Sequence, residues 1–570
     1  MPRAGAVGLL LLPAFVLLPG AVARALAGPR LERGAVALGL GAAAVALVSL
    51  ADPSLVAGGR AARPFGHHLL LAGWLVACFP VPLMLLARRG AQRALGLASA
   101  LAIGAAVLAS RSLLGLSALA LQALLAHRGT RRAWRLVLGV ALLAAAMAVP
   151  RVERVLRGED PSALARLDYL AAGGRGIVER PWLGWGPGAT PWTVARFLAP
   201  GPGRRPAGEQ VGDLHSLPAA LAYELGLPGA LLAAGAFGAF AAARIRERRR
   251  ARDRRFLDGA LLGLAGVGLV FLGHASLAVA ALPVAAAVLA GLALAAGAAS
   301  DQPEPVSPAS GWGGRLAVAY AVAAAALLAP YARAHLAYDR ARAAAEPEEA
   351  RRELGRALQA DPAFPLYRAR RAWLEGTDGA AAARTAAEEG EAVAPLWFAA
   401  GVLAREAGLD WAGEALVRAC RLDPLGPMAP FQLLLFDPGS PRAPALAARA
   451  LAAEPRLAAA RFWDGRPGLL AAAVALLERD ERLERGWRAA FAAAARRPRE
   501  ERGRPLEIGL TYDGNAAAAP SLFLFRRRPW PAELGAVELR GSLVARFDLP
   551  AAAGLATTSP DFFAPAACGP

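Results

Sequence analysis

The stretch VGDLHSLPAALAYELGLPG, residues 211–229, sets a histidine at the doorway of an apolar run and a glutamate nine residues inside it. Ser216 is a good helix N-cap and Pro218 suits a first turn, so His215 is expected just ahead of the first free N–H groups. The field at a helix start favours an anion and disfavours a second proton on imidazole, and a neutral imidazole can accept a proton from a hydroxyl. Glu224 falls about 180° around the helix from His215 and roughly 12 Å deeper, so the two do not share a face. His215 is read as facing an external chamber, and Glu224 as a buried anchor whose partner, an arginine, would come from another helix. A hydrogen-bonded interfacial histidine is the plainer alternative for His215.

Three arginines could bind an anion. Arg111 is the one charge between Arg93 and His127, in an otherwise apolar stretch, and charge at membrane depth marks a pathway or ligand unless it snorkels to the interface. Arg166 and Arg175 lie nine apart in ALARLDYLAAGGRGIVERPWLGWGPGA, on an expected amphipathic helix ending before Pro181. A guanidinium grips a diphosphate through paired donors, although either side chain also suits a solvated face. GWGPG, with Gly184 and Gly186, lacks phosphate-loop or dinucleotide spacing and reads as a tight turn with close backbone approach.

The elements holding these residues are membrane helices. A hydrophobic fraction of 56% over 570 residues and a mean hydropathy of +0.37 are too apolar for a soluble globular chain. Apolar runs near 4–28, 34–58, 67–88, 94–109, 112–126, 136–150, 217–243, 256–274, 277–298 and 316–332 suggest about ten spans. The run 94–127 would exceed a bilayer as one helix, about 50 Å, and is broken at Ser110–Arg111. The net charge of +19 includes no lysine, and its position argues against a nucleic-acid partner: RIRERRRARDRR (244–255) and HRGTRRAWR (127–135) read as cytoplasmic connections. That orientation places the loop 151–215 and everything after about 333 outside. Span parity places the N-terminus outside too, whereas its Met-Pro-Arg start suggests inside, and ALA at 25–27 resembles a signal-peptidase site.

Residues 1–332 are thus expected to form a transmembrane domain. Beyond it, segments ending at Pro362, Pro395, Pro424 and Pro455 are 33, 29 and 31 residues apart, the period of a tetratricopeptide-like α-solenoid over 333–500. Alternating segments such as LEIGLTYDG and GSLVARFDL predict strands in a tail, 501–570. The expected fold class is an all-α multi-pass membrane protein, followed by this solenoid and a short β-containing tail. Cys78, Cys420 and Cys568 suggest neither a disulfide framework nor metal spacing, and no metal or cofactor is expected.

In order, ASRS (109–112), Arg166 fifteen residues ahead of Pro181 in RPWLGWGPG, and LHSLPAALAYELGLPG resemble the O-antigen ligase and polymerase superfamily over roughly residues 94–298. The most specific piece is His215, Glu224, Gly226 and Gly229. The resemblance implies a metal-independent, inverting membrane glycosyltransferase of the bacterial inner membrane, acting in surface polysaccharide or lipopolysaccharide biosynthesis. Its donor would be an undecaprenyl-diphosphate-linked glycan, held by Arg111 and Arg166, with His215 where the acceptor hydroxyl meets the donor sugar carbon. Ser216 stands where the family usually has asparagine, and Leu170 where an aromatic often stands, which bears on acceptor choice. GHASLAVAALP (273–283) adds His274 as a further external histidine. The acceptor would be a glycan, lipid A-core or a protein, so ligase, repeat-unit polymerase and protein O-glycosyltransferase share this reading. A transporter of lipid-linked glycans would need ionisable residues along several spans, and a non-catalytic scaffold would need only the repeats, which could also recruit a protein partner.

Overall fold

A computed structural model describes residues 18–26, 30–55, 59–65, 68–86, 88–126, 149, 152–157, 161–198, 214–273, 281–297, 308–344, 346–424, 426, 428–453, 461–463, 465–478, 537–539 and 543–545. The membrane part contains α1 (Arg30–Leu50), α2 (His68–Cys78), α3 (Pro80–Leu85), α4 (Ala91–Ser110) and α5 (Leu113–Ala126). α6 (Pro161–Glu179) and the single turn α7 (Thr190–Thr193) belong to the long loop, and α8 (Leu217–Glu247), α9 (Arg254–Leu272) and α10 (Ala281–Gly297) follow. The long helices are rich in alanine and glycine, which let backbones approach closely within a bilayer. Gln122 Nε2 donates to the carbonyls of Val76 (3.0 Å) and Leu262 (2.9 Å), fastening α5 to α2 and α9 in the bundle interior.

The expected count of about ten spans is corrected. Among the described residues five helical runs are long and apolar enough to cross a membrane: α1, His68–Leu85, α4, α8 and α9. This is a multi-pass membrane protein; the described helix of the apolar run 112–126 has 14 residues and that of 277–298 has 17, Ala281–Gly297, with residues 277–280 outside the described ones. The run 316–332 is the middle of α11 (Pro308–Ala343), which continues unbroken past residue 333. Most of 4–28 and nearly all of 136–150 lie outside the described residues. The expected β-containing tail is also overturned. Of its described residues there is only a pair of three-residue segments, Val537–Leu539 against Leu543–Ala545, well short of a sheet able to cover a face of its own.

The two ends of the bundle differ in chemistry. At one end Arg88 pairs with Asp253 (3.1 Å) and Glu32 (3.5 Å), and Arg248 grips Asp258 through Nε (2.5 Å) and Nη2 (2.7 Å). The Asp253 N–H donates to the Ala296 carbonyl, and Gly297 lies against the Glu247 carboxylate, so this belt joins the start of α1 and α9 to the ends of α3, α8 and α10. At the other end α4 turns into α5 through Arg111, the Ala61 N–H bonds the Ala109 carbonyl, and Gly273 at the end of α9 lies against Leu114. α8 begins at this second end, because it runs from His215 into the belt at Arg248.

Beyond the membrane part, α11 leads into α12 (Pro347–Ala360), α13 (Pro365–Glu375), α14 (Ala380–Glu389), α15 (Ala394–Glu406), α16 (Ala412–Leu422), α17 (Met428–Phe436), α18 (Ala443–Ala453) and α19 (Pro467–Glu478). Consecutive helices pack on one another, sharing a core that includes Tyr338, Tyr367, Trp373, Trp397, Phe431 and Trp463. Pro362, Pro395 and Pro424 each follow the second helix of a pair, and Pro455 lies outside the described residues. Trp192 of the loop meets Phe364 of this array edge to face at 6.4 Å, so the array sits at the Arg111 end of the bundle. Cys420 is disulfide-bonded, which separation along the sequence did not suggest, whereas Cys78 is buried and free.

Candidate functional site

The glycine turn and the break in α8 explain each other. Gly226 leaves helical geometry (φ 74°, ψ 172°), and Pro228 has no N–H to return to the Glu224 carbonyl four residues back. The Leu227 N–H turns instead to the Pro181 carbonyl (2.7 Å), which also releases the carbonyl of Tyr223. Both released carbonyls are taken by the turn: Trp185 N–H donates to Tyr223 (2.9 Å) and Gly186 N–H to Glu224 (2.9 Å). Buried backbone acceptors need partners, so the kink and the turn form as one unit. A Cβ on Gly184 would lie 2.6 Å from the Glu224 carbonyl and one on Gly226 2.3 Å from the Trp182 oxygen, and both residues have positive φ.

The expected arginine partner for Glu224 is replaced by the turn itself. One carboxylate oxygen accepts the Gly188 N–H (2.8 Å); the other accepts the Thr190 hydroxyl (2.7 Å) and N–H (3.4 Å). Glu224 thus anchors the loop with both its backbone and its side chain. Beneath it, Tyr223 shares a hydrogen bond with Thr193 (2.8 Å) and stacks on Trp185 at 6.1 Å. The Trp185 indole N–H donates to the Gly176 carbonyl (3.0 Å), while Arg180 and Arg196 stand over its ring at 4.2 and 4.8 Å.

His215 precedes the N-cap Ser216, whose hydroxyl accepts the Ala219 N–H at 3.5 Å, as the sequence suggested. Its ring stacks on Tyr169 of α6 (5.8 Å, 21° between planes), and the neighbouring Leu214 packs against Gly173. Arg166 is one turn before Tyr169, whereas Arg175 is nine residues on from Arg166, about 180° around the helix. Arg175 accordingly points elsewhere: its Nε and Nη2 both donate to the Phe197 carbonyl (2.8 and 2.6 Å). Arg111 is exposed, forms the C-cap of α4 and has left-handed geometry (φ 51°), with Ser112 capping α5 through the Gly115 N–H (3.1 Å).

Among the described residues Arg111 and His215 are the two non-glycine residues with positive φ. Such conformations are strained for residues bearing a Cβ and gather at functional sites, where the surrounding structure holds a side chain in a required place. Both residues lie at the same end of the bundle. Gly229 is three residues beyond the break, against Leu225, and His274 lies outside the described residues. Tyr169, Trp185, Thr190, Thr193 and Tyr223 were not singled out by sequence reasoning. A usable signal was present in Pro228, since the carbonyl it strands is that of Glu224 and must find a donor elsewhere.

Residues 72–234 match the family model described as O-antigen ligase. The matched stretch runs from α2 to the middle of α8 and contains Arg111, Arg166, the glycine turn, His215 and Glu224, but not the helical array. No curated protein and no solved structure matches the chain.

Proposed function

We propose that this protein is a bacterial inner-membrane glycosyltransferase of the O-antigen ligase type, moving a glycan from an undecaprenyl-diphosphate donor to an acceptor hydroxyl. The observation that carries this reading is the placement of Arg111 and His215, both in strained backbone, at one end of the bundle, with Arg166 on the helix whose tyrosine stacks on His215. The arginine-rich connection 244–255 lies at the opposite end, which the positive-inside rule assigns to the cytoplasm; the site and the helical array then face the periplasm.

His215 accepts the proton of the acceptor hydroxyl as that oxygen attacks the anomeric carbon, and the bond to the diphosphate breaks with inversion. The departing electron pair goes to the diphosphate, whose charge Arg111 and Arg166 stabilise. Arg175 holds the Phe197 carbonyl and positions the loop. The array is proposed as a tetratricopeptide-like solenoid that recruits an acceptor or a protein partner.

Arg166→Ala is expected to raise the donor KM about 10- to 100-fold, the loss of one or two charge-assisted contacts. Arg175→Ala is expected to lower thermal stability with the donor KM within about twofold. Assays with purified protein in detergent, using defined donor and acceptor, check both; no transfer by the unaltered protein under these conditions would favour a transporter. Deleting the gene separates ligase from polymerase: a ligase defect leaves long unattached chains, a polymerase defect single repeats on the lipid.

A further inference from the structure

α6 carries two apolar faces. With Leu167 as origin and about 100° per residue, Ala165, Tyr169, Ala172 and Gly176 fall within about 40° of the far side, and these are buried against the loop core and the start of α8. Leu167, Leu170 and Val178 fall on the near side, between about −60° and +20°, and are exposed. The stripe continues beyond the helix into Trp182 and Leu183. Val178, Trp182 and Leu183 are 80%, 75% and 86% exposed, and with Leu167 and Leu170 they follow one stripe rather than lying scattered singly.

What covers this stripe follows from its neighbours. The Leu227 N–H bond to the Pro181 carbonyl ties the end of the stripe to the point where α8 resumes as a membrane-crossing helix. Leu231 and Leu232, one turn further along α8, are also exposed, on a helix long and apolar enough to cross a membrane. The two surfaces are continuous. Arg166 flanks the stripe at about −100°, and Arg175, at about +80°, is turned onto the Phe197 carbonyl, so the apolar residues lie between two basic edges of the helix. α6 is too polar to cross a bilayer, but a helix with an apolar stripe between arginines is suited to lying in its surface.

We propose that α6 lies in the plane of the membrane surface, with Leu167, Leu170, Val178, Trp182 and Leu183 sunk among acyl chains. Arg166 is then at headgroup depth, between the stripe and the face that packs on His215. A nitroxide on Leu167→Cys or Val178→Cys, in the full chain with Cys78→Ala, tests this in vesicles of phosphatidylethanolamine and phosphatidylglycerol. Glu349→Cys, exposed on α12, gives the aqueous reference. At positions 167 and 178, collisions with oxygen are expected to exceed those with a water-soluble nickel chelate several-fold, with the order reversed at 349. Dominance of the nickel chelate at both stripe positions would place α6 in water. Shielding from both reagents would mean that another protein surface, including a second copy, covers the stripe. Either result overturns the proposal, and neither bears on whether the protein transfers glycans.

Discussion

His215→Ala is expected to lower the rate of glycan transfer by about 10²- to 10⁴-fold, the usual contribution of a positioned general base. The fold should survive, because the cap of α8 comes from Ser216 and the turn is held by Tyr223 and Glu224. Alanine also removes a longer side chain from strained geometry without restoring the freedom of a glycine, so thermal stability should change by no more than about 1 kcal/mol. The donor KM should stay within a few-fold, since the diphosphate is assigned to Arg111 and Arg166. Single-turnover transfer with saturating donor and acceptor measures the chemical step directly. Undiminished turnover in the variant would remove His215 from the chemistry and leave it as an interfacial residue stacked on Tyr169.

Gly226→Ala is expected to be the most damaging single-methyl change in the site. Its Cβ would meet the Trp182 carbonyl at 2.3 Å, a backbone atom that cannot swing aside. Positive φ with ψ near 172° is a region essentially reserved for glycine and costs a residue with a Cβ about 1–3 kcal/mol, and overpacking adds about 1–3 kcal/mol more. Relief requires moving the turn away from α8, which breaks the bonds from Trp185 and Gly186 to the carbonyls of Tyr223 and Glu224. The expected result is a stability loss of about 2–6 kcal/mol together with loss of transfer. Pro228→Ala makes an informative contrast: it supplies an N–H near the Glu224 carbonyl, but Gly226 keeps the helix broken, so the cost should be about 1 kcal/mol or less. Thermal unfolding of both variants in the same detergent checks the order. Equal stability of Gly226→Ala and the unaltered protein would show that the turn and the kink are not one unit.

The amino-acid sequence by itself determined the class of environment and the local signals. Apolar runs announced a membrane protein, Ser216 announced the cap of α8, and Ser110–Arg111 announced the break between α4 and α5, because each depends on composition or on residues within one turn of one another. Apolar length alone did not show that α11 runs on past residue 333; that outcome depends on where the helix ends against its neighbours. Of the tail's described residues, alternation corresponds to one short antiparallel pair, too small to cover a face of its own.

The partners of Glu224 were decided only in three dimensions. An arginine was expected because a carboxylate inside an apolar run calls for a compensating charge, yet backbone N–H groups and the Thr190 hydroxyl serve instead. They can do so because the kink at Gly226 and Pro228 brings a loop from some 36 residues earlier across the helix. The division of Arg166 from Arg175 was accessible to arithmetic, as nine residues make two and a half helical turns. Which of the two lies nearer the Tyr169 side of α6, which stacks on His215, was not, because that depended on the face of α6 that packs against the start of α8.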